Sequence, residues 1–450
     1  MSEFSFSPET LHELATDALR HAERSGASAC EVDVSEGVGH AVTVRKGEVE
    51  TIEFNRDKGI GVTVYLGKRR GHASTSDFSP ASLKATVEAA LSIARFTAED
   101  EAAGLPEPER LATPEQAALD LDLYHPWPLS VEQAIELARR CEAAAFAVSP
   151  QVTNSEGATV STHASHFVSA NSLGFMGGYP ATRHFISCVP IAGKGEDMQR
   201  DDWYSGHRDP TDLSSPEAIG DYAARRALSR LKARKLSTRQ CKVLFEAPLA
   251  TGLIASFVHA VSGGSLYRKA SFLIDSLGQR IFPPWFRIDE RPHLPKGLAS
   301  SPFDDDGVAT EARTVVDEGI VQGYFLSTYT ARKLGLPTTG NAGGSHNLIV
   351  APSPGAPEDF ASLLKEFGTG LLVTELLGHG INYVTGDYSR GAAGFWVENG
   401  EIAYPVHEIT IAGNLKEMFA GIEMVGGDTV TRGSRTVGSI AVNRMTVAGN

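Results

Sequence analysis

Four short segments of alternating polar and apolar residues follow one another near the start of the chain, between two predicted helices. They cover residues 31–34, 41–44, 49–54 and 60–65. The residues between them are typical of turns: Lys46-Gly47, Asp57-Lys58-Gly59 and Gly67-Lys68. Alternation with a period of two puts the apolar side chains on one face of a strand, and short turns join antiparallel neighbours. The pattern therefore predicts an antiparallel meander with flanking helices, which is an α+β fold class rather than a βαβ one.

The flanking helices carry start signals in the sequence. A serine followed by a proline precedes apolar residues of helical spacing at Ser7-Pro8, Ser79-Pro80 and Ser215-Pro216. A serine side chain caps a helix, and proline suits the first helical position. Ser130 and Gln133 form a capping box that predicts another helix between the second and third of these.

Length and changes of composition predict two domains. The chain has 450 residues, and domains contain roughly 150 residues, so two or three domains are expected. An N-terminal α+β domain is predicted over residues 1–235. Within it, residues 97–129 are charged and rich in proline, which predicts a long surface connection. A β-rich C-terminal domain is predicted over residues 240–450, where hairpin turns occur at 318–319 and 399–400.

Two helices are predicted inside the C-terminal domain, over residues 248–262 and 358–367. The glycine-rich segment at 262–265 follows the first of them. A nucleophile elbow needs a strand at that place, so we expect Gly263 to cap the end of the helix instead.

Charge and composition exclude several classes of protein. Lys and Arg total 41 against 55 Asp and Glu, a formal charge of −14, which disfavours binding to nucleic acid or to anionic membranes. No stretch reaches the ~18 apolar residues of a membrane span, and the first residues do not resemble a secretory signal. The 4 cysteines are far apart and contain no C-x-x-C pair. We therefore expect a protein of a reducing cytoplasm.

The 14 histidines include no recognisable metal motif. His163 and His166 lie in a predicted strand and point to opposite faces. No H-E-x-x-H, G-x-S-x-G or phosphate-loop motif occurs. His259, His346 and His379 lie in glycine-rich segments and would bind a metal only if the fold brought them together. Solvent-facing or hydrogen-bonded histidines are the other interpretation.

Three segments of the second half combine glycine with polar and aromatic residues: 263–269, 343–347 and 385–391. Loops of this composition bind peptides or small ligands, and they also form ordinary β-turns. The residues alone leave both interpretations open.

Segments of the second half that include or neighbour these three resemble the TldD/PmbA family, and within it the PmbA (TldE) subunit type. The similarity covers essentially the whole chain, and the second-half motifs are long. Its main segments are 263–273, 296–304, 329–336, 341–347, 386–402 and 409–415, with Arg-Lys-Gly-Glu-Val-Glu at 45–50 in the first half.

The resemblance implies a cytoplasmic bacterial metallopeptidase complex of two related subunits. Such a complex processes precursor peptides and degrades unfolded or small proteins, and the family has also been labelled a modulator of DNA gyrase. The implied fold is an N-terminal α+β domain with flanking helices followed by a β-rich C-terminal domain.

The TldD-type subunit of the family carries H-E-x-x-x-H on a helix, together with a distal cysteine ligand. The matching positions of this chain are Val258, His259 and Gly263, and no cysteine follows Cys241. Valine and glycine have no side-chain ligand, and the general-base carboxylate is absent. The resemblance therefore implies a subunit without catalytic residues, metal or other cofactor of its own, with zinc on the TldD-type partner.

The expected partners are the TldD-type catalytic subunit and an unfolded or precursor peptide, with a homodimer when the chain is alone and with neither nucleic acid nor membrane. The residues predicted to bind substrate carry hydrogen-bonding groups suited to peptide carbonyls, amides or carboxylates. They are Arg268, Lys269, His346, Asn347, Asp387 and Arg390.

Two alternatives remain at this stage. One is a free-standing hydrolase with a different metal site, formed by His259, His346, Glu375 and His379. The other is a non-enzymatic binding protein that acts on DNA gyrase.

Overall fold

The computed structural model describes residues 4–449, and its α+β fold class confirms the prediction. It divides into two compact units, and each unit is assembled from separate stretches of chain. The first unit comprises Met1–Leu228, His293–Thr310 and Ser327–Gly343. The second unit comprises Ser229–Pro292, Glu311–Leu326 and Gly344–Asn450.

The α-helices of the described chain, α1 to α10, are Pro8–Arg24, Pro80–Phe96, Pro114–Ala117, Val131–Val148, Pro216–Ser229, Ala247–Ala260, Gly263–Tyr267, Thr328–Leu334, Phe360–Phe367 and Leu415–Ala420. The strands of the first unit, β1 to β8, are Ala29–Arg45, Glu48–Leu66, Arg69–Thr75, Val152–Asn171, Met176–Gly177, Pro180–Ala192, Gln199–Arg200 and Trp203–His207.

The strands of the second unit, β9 to β21, are Arg239–Phe245, Ile288–Arg291, Arg313–Asp317, Ile320–Val321, Asn347–Val350, Gly370–Leu377, Ile381–Asn382, Asp387–Glu398, Glu401–Asn414, Ile422–Val425, Val430–Arg432, Arg435–Val437 and Ile440–Ala448.

One antiparallel sheet of 8 strands forms the centre of the first unit, in the order β3-β2-β1-β4-β6-β7, with β5 on β4 and β8 on β6. The predicted turns at Lys46-Gly47 and at Gly67-Lys68 are confirmed. The turn predicted at 57–59 is wrong, because β2 runs straight through it. Asp57 pairs with Gly37 and Gly59 with Ser35, so the four predicted segments merge into two long strands.

The predicted helix starts follow from local capping. Ser7, Ser79 and Ser130 each accept a backbone N–H from the first turn of their helix. Helices α1 and α2 then bury apolar side chains on the end of the sheet where Val32 and Val62 lie. Helix α4 covers the other end of β1 in the same way.

The proline-rich composition predicts that residues 97–129 form a surface connection, but part of this stretch is buried. Ala102, Leu105, Leu121 and Leu123 in this stretch are buried. The segment therefore contributes to the packing of the first unit, although it contains only short helices.

The second unit contains two sheets. The first has 6 strands in the order β12-β11-β10-β13-β20-β19. The second has 7 strands in the order β14-β9-β21-β17-β16-β15, with β18 on β21. Since β14 pairs with both β9 and β16, strands β14, β9, β21, β17 and β16 close into a ring. A closed ring removes the free edges that an open sheet would present.

Among the described residues, no helix has the length and apolar character needed to cross a membrane.

Candidate functional site

The positions that the family resemblance assigns to the metal-binding motif lie where α6 ends and α7 begins. Val258 is half-buried and His259 is exposed, both in the last turn of α6. The sequence predicts that Gly263 caps the end of α6, but it does not. Instead Val261 occupies that place and Gly263 is the first residue of α7, where its N–H donates to the carbonyl of Phe325 at 2.8 Å.

An aromatic and cationic cluster surrounds His259. The centroids of the His259 and Tyr383 rings are 4.0 Å apart. Partial burial and the positive charge of Arg268 lower the pKa of His259, which favours a neutral imidazole. Arg268 follows α7, lies over the ring of Tyr267 and is exposed, as is its neighbour Lys269. The structure therefore brings Arg268 to the end of the degenerate motif.

Asp387 and Arg390 lie in β16 rather than in the loop that the glycine content predicted. Being three residues apart in a strand, they point to opposite faces. Asp387 accepts hydrogen bonds from the Thr385 hydroxyl at 2.6 Å and the Asn414 amide at 3.3 Å. Arg390 Nε is buried and has no hydrogen-bond partner among the described residues. An unsatisfied buried donor is costly, so Arg390 is a candidate for contact with a bound group.

Asn347 is the first residue of β13 in the 6-stranded sheet of the second unit, His346 immediately precedes it, and both are buried. The backbone N–H of His346 donates to Glu290 Oε1 at 2.8 Å. The side-chain amide of Asn347 donates to the backbone carbonyl of Arg291 at 2.9 Å. The side chain of Glu290 is only 1% exposed and also accepts from Arg313 Nε at 2.7 Å. These two predicted residues are thus held by β10, on a different sheet from Arg390.

The alternative metal site is not assembled. Glu375 binds Arg230, His259 packs on Tyr383, and His346 is buried beside Glu290. Within residues 4–449, no three His, Cys, Asp or Glu side chains group closely enough to hold a metal ion.

No residue of the first unit is predicted from the sequence to form a site, but the structure contains a pocket there of about 520 Å³. Glu31 and Asp306 lie on its wall, far apart in the sequence, so no local motif indicates it. Tyr65 donates its hydroxyl to Glu31 at 3.2 Å, and Arg70 lies 3.8 Å from the same carboxylate. Burial and the negative charge of Asp306 raise the pKa of Glu31 to about 7, although Arg70 opposes the shift.

This raised pKa predicts a dependence of stability on pH. Between 4.5, the ordinary value, and about 7, folded Glu31 holds its proton more tightly than unfolded Glu31 does, so stability falls as pH rises through this range. We expect Glu31→Gln to raise the free energy of unfolding by about 1–2 kcal/mol at pH 8 and to change it little below pH 4. Urea denaturation at both pH values measures this.

Glu99→Gln is the matched control, because Glu99 lines the same pocket and its side chain is 64% exposed. Glu99→Gln should change stability little at either pH. An equal gain for Glu31→Gln at pH 4 and pH 8 would contradict the assignment of the effect to ionisation.

Three family models together match most of the chain. They describe PmbA/TldA metallopeptidase domain 1 at residues 30–94, the central domain at 124–231 and the C-terminal domain at 238–449. The chain is also 50% identical over 439 residues to Metalloprotease PmbA of Escherichia coli O157:H7, which covers 98% of this chain and 96% of that one. The chain belongs to the PmbA/TldD family of metalloproteases.

The chain is also similar in sequence to two family members of another bacterium. A Metalloprotease PmbA homolog of Haemophilus influenzae is 44% identical, covering 98% of this chain and 97% of the relative. The same organism has a Metalloprotease TldD homolog that is 24% identical, covering 84% of this chain and 81% of the relative. Haemophilus influenzae therefore has two proteins related to this chain, a PmbA homolog and a TldD homolog.

Solved structures share the fold. A protein of Bacteroides thetaiotaomicron, described as a modulator of DNA gyrase, has a TM-score of 0.92 and 26% identity, covering 99% of this chain and 100% of its own. TldE of Thermococcus kodakarensis has a TM-score of 0.82 and 19% identity, covering 97% of this chain and 100% of its own.

The residues at the motif positions do not fit the zinc that the family's metalloprotease name implies. Neither Val258 nor Gly263 has a side-chain donor, and the His259 ring packs on Tyr383. A catalytic zinc site needs three protein ligands and an open position, and these positions offer one ligand at most.

Proposed function

We propose that this chain is the non-catalytic subunit of a two-subunit cytoplasmic zinc peptidase. A TldD-type partner would carry the zinc and the catalytic base, and the complex would cleave unfolded proteins and precursor peptides. The proposal is supported by the junction of α6 and α7, where Val258 and Gly263, at the positions that the resemblance assigns to metal ligands, have no side-chain donor.

We assign contact with the peptide to Arg268, Lys269, His346, Asn347, Asp387 and Arg390. Support is strongest for Arg268, which is exposed beside the motif, and for Arg390, whose Nε has no hydrogen-bond partner in the described chain. Guanidinium groups suit peptide carbonyls and carboxylates because they offer several N–H donors in one plane.

Co-expression with a TldD-type chain tests the proposal. We expect the isolated chain to contain no stoichiometric zinc by elemental analysis and to leave casein, an unfolded protein, uncleaved. The purified complex should hold about one zinc per pair and cleave casein until a chelator is added. About one zinc per isolated chain, with cleavage that a chelator stops, would show that this chain is itself the peptidase.

Arginine variants in the same complex test the substrate assignment. Arg268→Ala should lower casein cleavage about tenfold without lowering the melting temperature, because an exposed side chain adds little to folding. Arg280→Ala is the matched control, since Arg280 is also exposed in the second unit but bonds the carbonyl of Glu318. Equal losses of activity in both variants would count against a specific role for Arg268.

The description of the Bacteroides neighbour favours a second candidate function, binding to DNA gyrase. Under that function the chain would retain purified gyrase on a column and alter its supercoiling activity without a TldD-type partner. Under the peptidase proposal neither effect is expected.

A further inference from the structure

The pocket of the first unit carries more negative than positive charge. Its volume of about 520 Å³ lies within the range of pockets that bind small organic ligands, roughly 300–1,000 Å³. Since no three His, Cys, Asp or Glu side chains between residues 4 and 449 group closely enough to hold a metal ion, its ligand would be an organic molecule. The charged residues that line it in the described chain are Glu31, Glu99, Asp100 and Asp306 against Lys68 and Arg70.

Two carboxylates of this pocket differ in their partners. Asp100 accepts hydrogen bonds from Lys333 Nζ at 2.7 Å and from the Tyr329 hydroxyl at 2.8 Å. The bond from Lys333 is the main reason that the pKa of Asp100 is lowered to about 2. Asp306, in contrast, accepts the backbone N–H of Thr328 at 2.8 Å and pairs with no Lys, Arg or His of the described residues. The chain therefore supplies an ammonium group to one carboxylate and leaves the other without a cation.

Glu31 is only partly compensated as well. The Tyr65 hydroxyl and Arg70 both approach its Oε1, whereas Oε2 accepts no hydrogen bond from the part of the chain that the structure describes. The negative charge of Asp306 contributes to the raised pKa of Glu31. Burial and the same charge raise the pKa of Asp304 to about 7. A cation bound beside Asp306 would relieve this repulsion between carboxylates.

Thr328 provides an independent observation. It lines the pocket and is 3% exposed, and its hydroxyl oxygen is buried with no hydrogen-bond partner among residues 4–449. A hydroxyl can accept two hydrogen bonds, and a buried hydroxyl without a partner is costly. The partner that would satisfy Thr328 Oγ1 is therefore a group that enters the pocket.

We infer that this pocket binds a primary alkylammonium group, whose three N–H bonds go to Asp306, to Glu31 Oε2 and to Thr328 Oγ1. A primary ammonium has three donors and no acceptor, so two carboxylates and one hydroxyl satisfy it fully. Tyr65 and Tyr329 also line the pocket, and aromatic rings attract cations and cover alkyl chains. The inference goes beyond the proposed peptidase function, because all these residues lie in the first unit and none is assigned contact with the peptide.

Butylamine is the probe, and ligand-observed NMR of its methyl signal with the full chain measures the Kd. We expect saturable binding with a Kd of about 0.1–1 mM, since a ligand of five non-hydrogen atoms has limited affinity. Butyltrimethylammonium has the same charge but no N–H donor and should bind about tenfold more weakly or not at all. Butyrate should not bind.

Three results with these probes would overturn the inference. One is butylamine binding that does not saturate up to about 10 mM, a concentration well above the expected Kd. Another is equal binding of butylamine and butyltrimethylammonium, which would show that no N–H bond is made. The third is butyrate binding as tightly as butylamine, which would show that the pocket prefers anions or the alkyl chain alone.

The same ammonium group occurs in free alkylamines and at the end of a lysine side chain. Nα-acetyl-lysine methylamide distinguishes these two sources. Binding as tight as that of butylamine would support the inference with a lysine side chain as the ligand, and much weaker binding would support it with a free amine. Nα-acetyl-norleucine methylamide lacks only the amino group, so equal binding of the two amides would overturn the inference.

Substitutions in the pocket test each acceptor. Asp306→Asn removes the charge but keeps an acceptor for the Thr328 N–H, and should weaken butylamine binding about tenfold or more. Thr328→Val has nearly the same shape without the hydroxyl, and should weaken binding about fivefold without loss of stability, because that hydroxyl has no partner in the described chain.

Glu101→Gln is the matched control, since Glu101 is exposed and follows Asp100 but lies outside the pocket. It also removes one negative charge, and should change the Kd less than about twofold, because an exposed charge at a distance is screened. Equal weakening in Glu101→Gln and Asp306→Asn would mean that overall charge alone attracts the amine, and would overturn the inference.

Melting temperatures separate loss of the site from loss of the fold. Asp306→Asn should melt no lower than the wild type at pH 8, because it removes the repulsion between Asp306 and Glu31. If Asp306→Asn fails to fold, Thr328→Val decides the matter. An unchanged Kd for butylamine in folded Thr328→Val would overturn the inference.

Discussion

Replacing Glu290 by alanine is expected to lower the free energy of unfolding by about 3–5 kcal/mol. The Glu290 side chain is 1% exposed and accepts the His346 N–H and the Arg313 Nε–H. Without this carboxylate, a partly buried guanidinium and a buried amide both lose their acceptor. Removing one partner of a buried ion pair costs far more than removing both, because the remaining charge is left uncompensated.

Urea denaturation followed by tryptophan fluorescence measures the loss, and two variants serve as controls. Glu290→Gln keeps an acceptor for one donor and should lose about 1–2 kcal/mol. Glu290→Leu combined with Arg313→Met removes both charges and should be more stable than Glu290→Ala. A loss below about 1 kcal/mol for Glu290→Ala would mean that water replaces the carboxylate, and that His346 is not positioned by it.

The second large effect is expected at Glu142 in α4. This buried carboxylate accepts the backbone N–H of Lys46 at 2.9 Å and that of Gly47 at 2.8 Å. Both turn residues have positive φ, 54° and 77°, as a tight two-residue hairpin requires. Glu142→Ala should lower the free energy of unfolding by about 2–3 kcal/mol, since two hydrogen bonds to a charged group are lost.

Urea denaturation measures this loss as well. The control is Glu142→Gln, which keeps one acceptor and should lose about half as much free energy of unfolding. Because the turn leads into β2, amide hydrogen exchange at residues 48–52 should also speed up in Glu142→Ala. Unchanged exchange together with unchanged stability would show that the turn holds its conformation without α4.

Local signals account for the parts of the fold that could be predicted. The caps at Ser7, Ser79 and Ser130 act within one helical turn, so four or five residues suffice to identify each helix start. The turn predicted at 57–59 failed because charged residues and glycine also occur on an exposed strand edge, where both faces meet water.

The candidate sites are less predictable from the sequence than the helix starts are. Arg268 lies close to the motif positions at the end of α6 because only a few residues of the chain separate them. Arg390 was expected in a loop because of its glycines, yet Gly391 and Gly394 lie inside β16. A Cβ on Gly394 would come within 1.9 Å of a backbone oxygen of the neighbouring strand, so glycine there serves close packing. The pocket with Glu31 and Asp306 depends on distant stretches of chain that no local pattern joins.

The interleaved composition of the two units has a consequence for biosynthesis. The first unit needs residues 293–310 and 327–343, which leave the ribosome long after its sheet has been made. Domains usually fold in order from the N-terminus during translation. Here the first 228 residues must wait, with the Asp306 wall of their pocket still missing, while much of the second unit is already emerging. A nascent chain arrested before residue 293 should therefore remain more sensitive to protease in its first half than one released at full length.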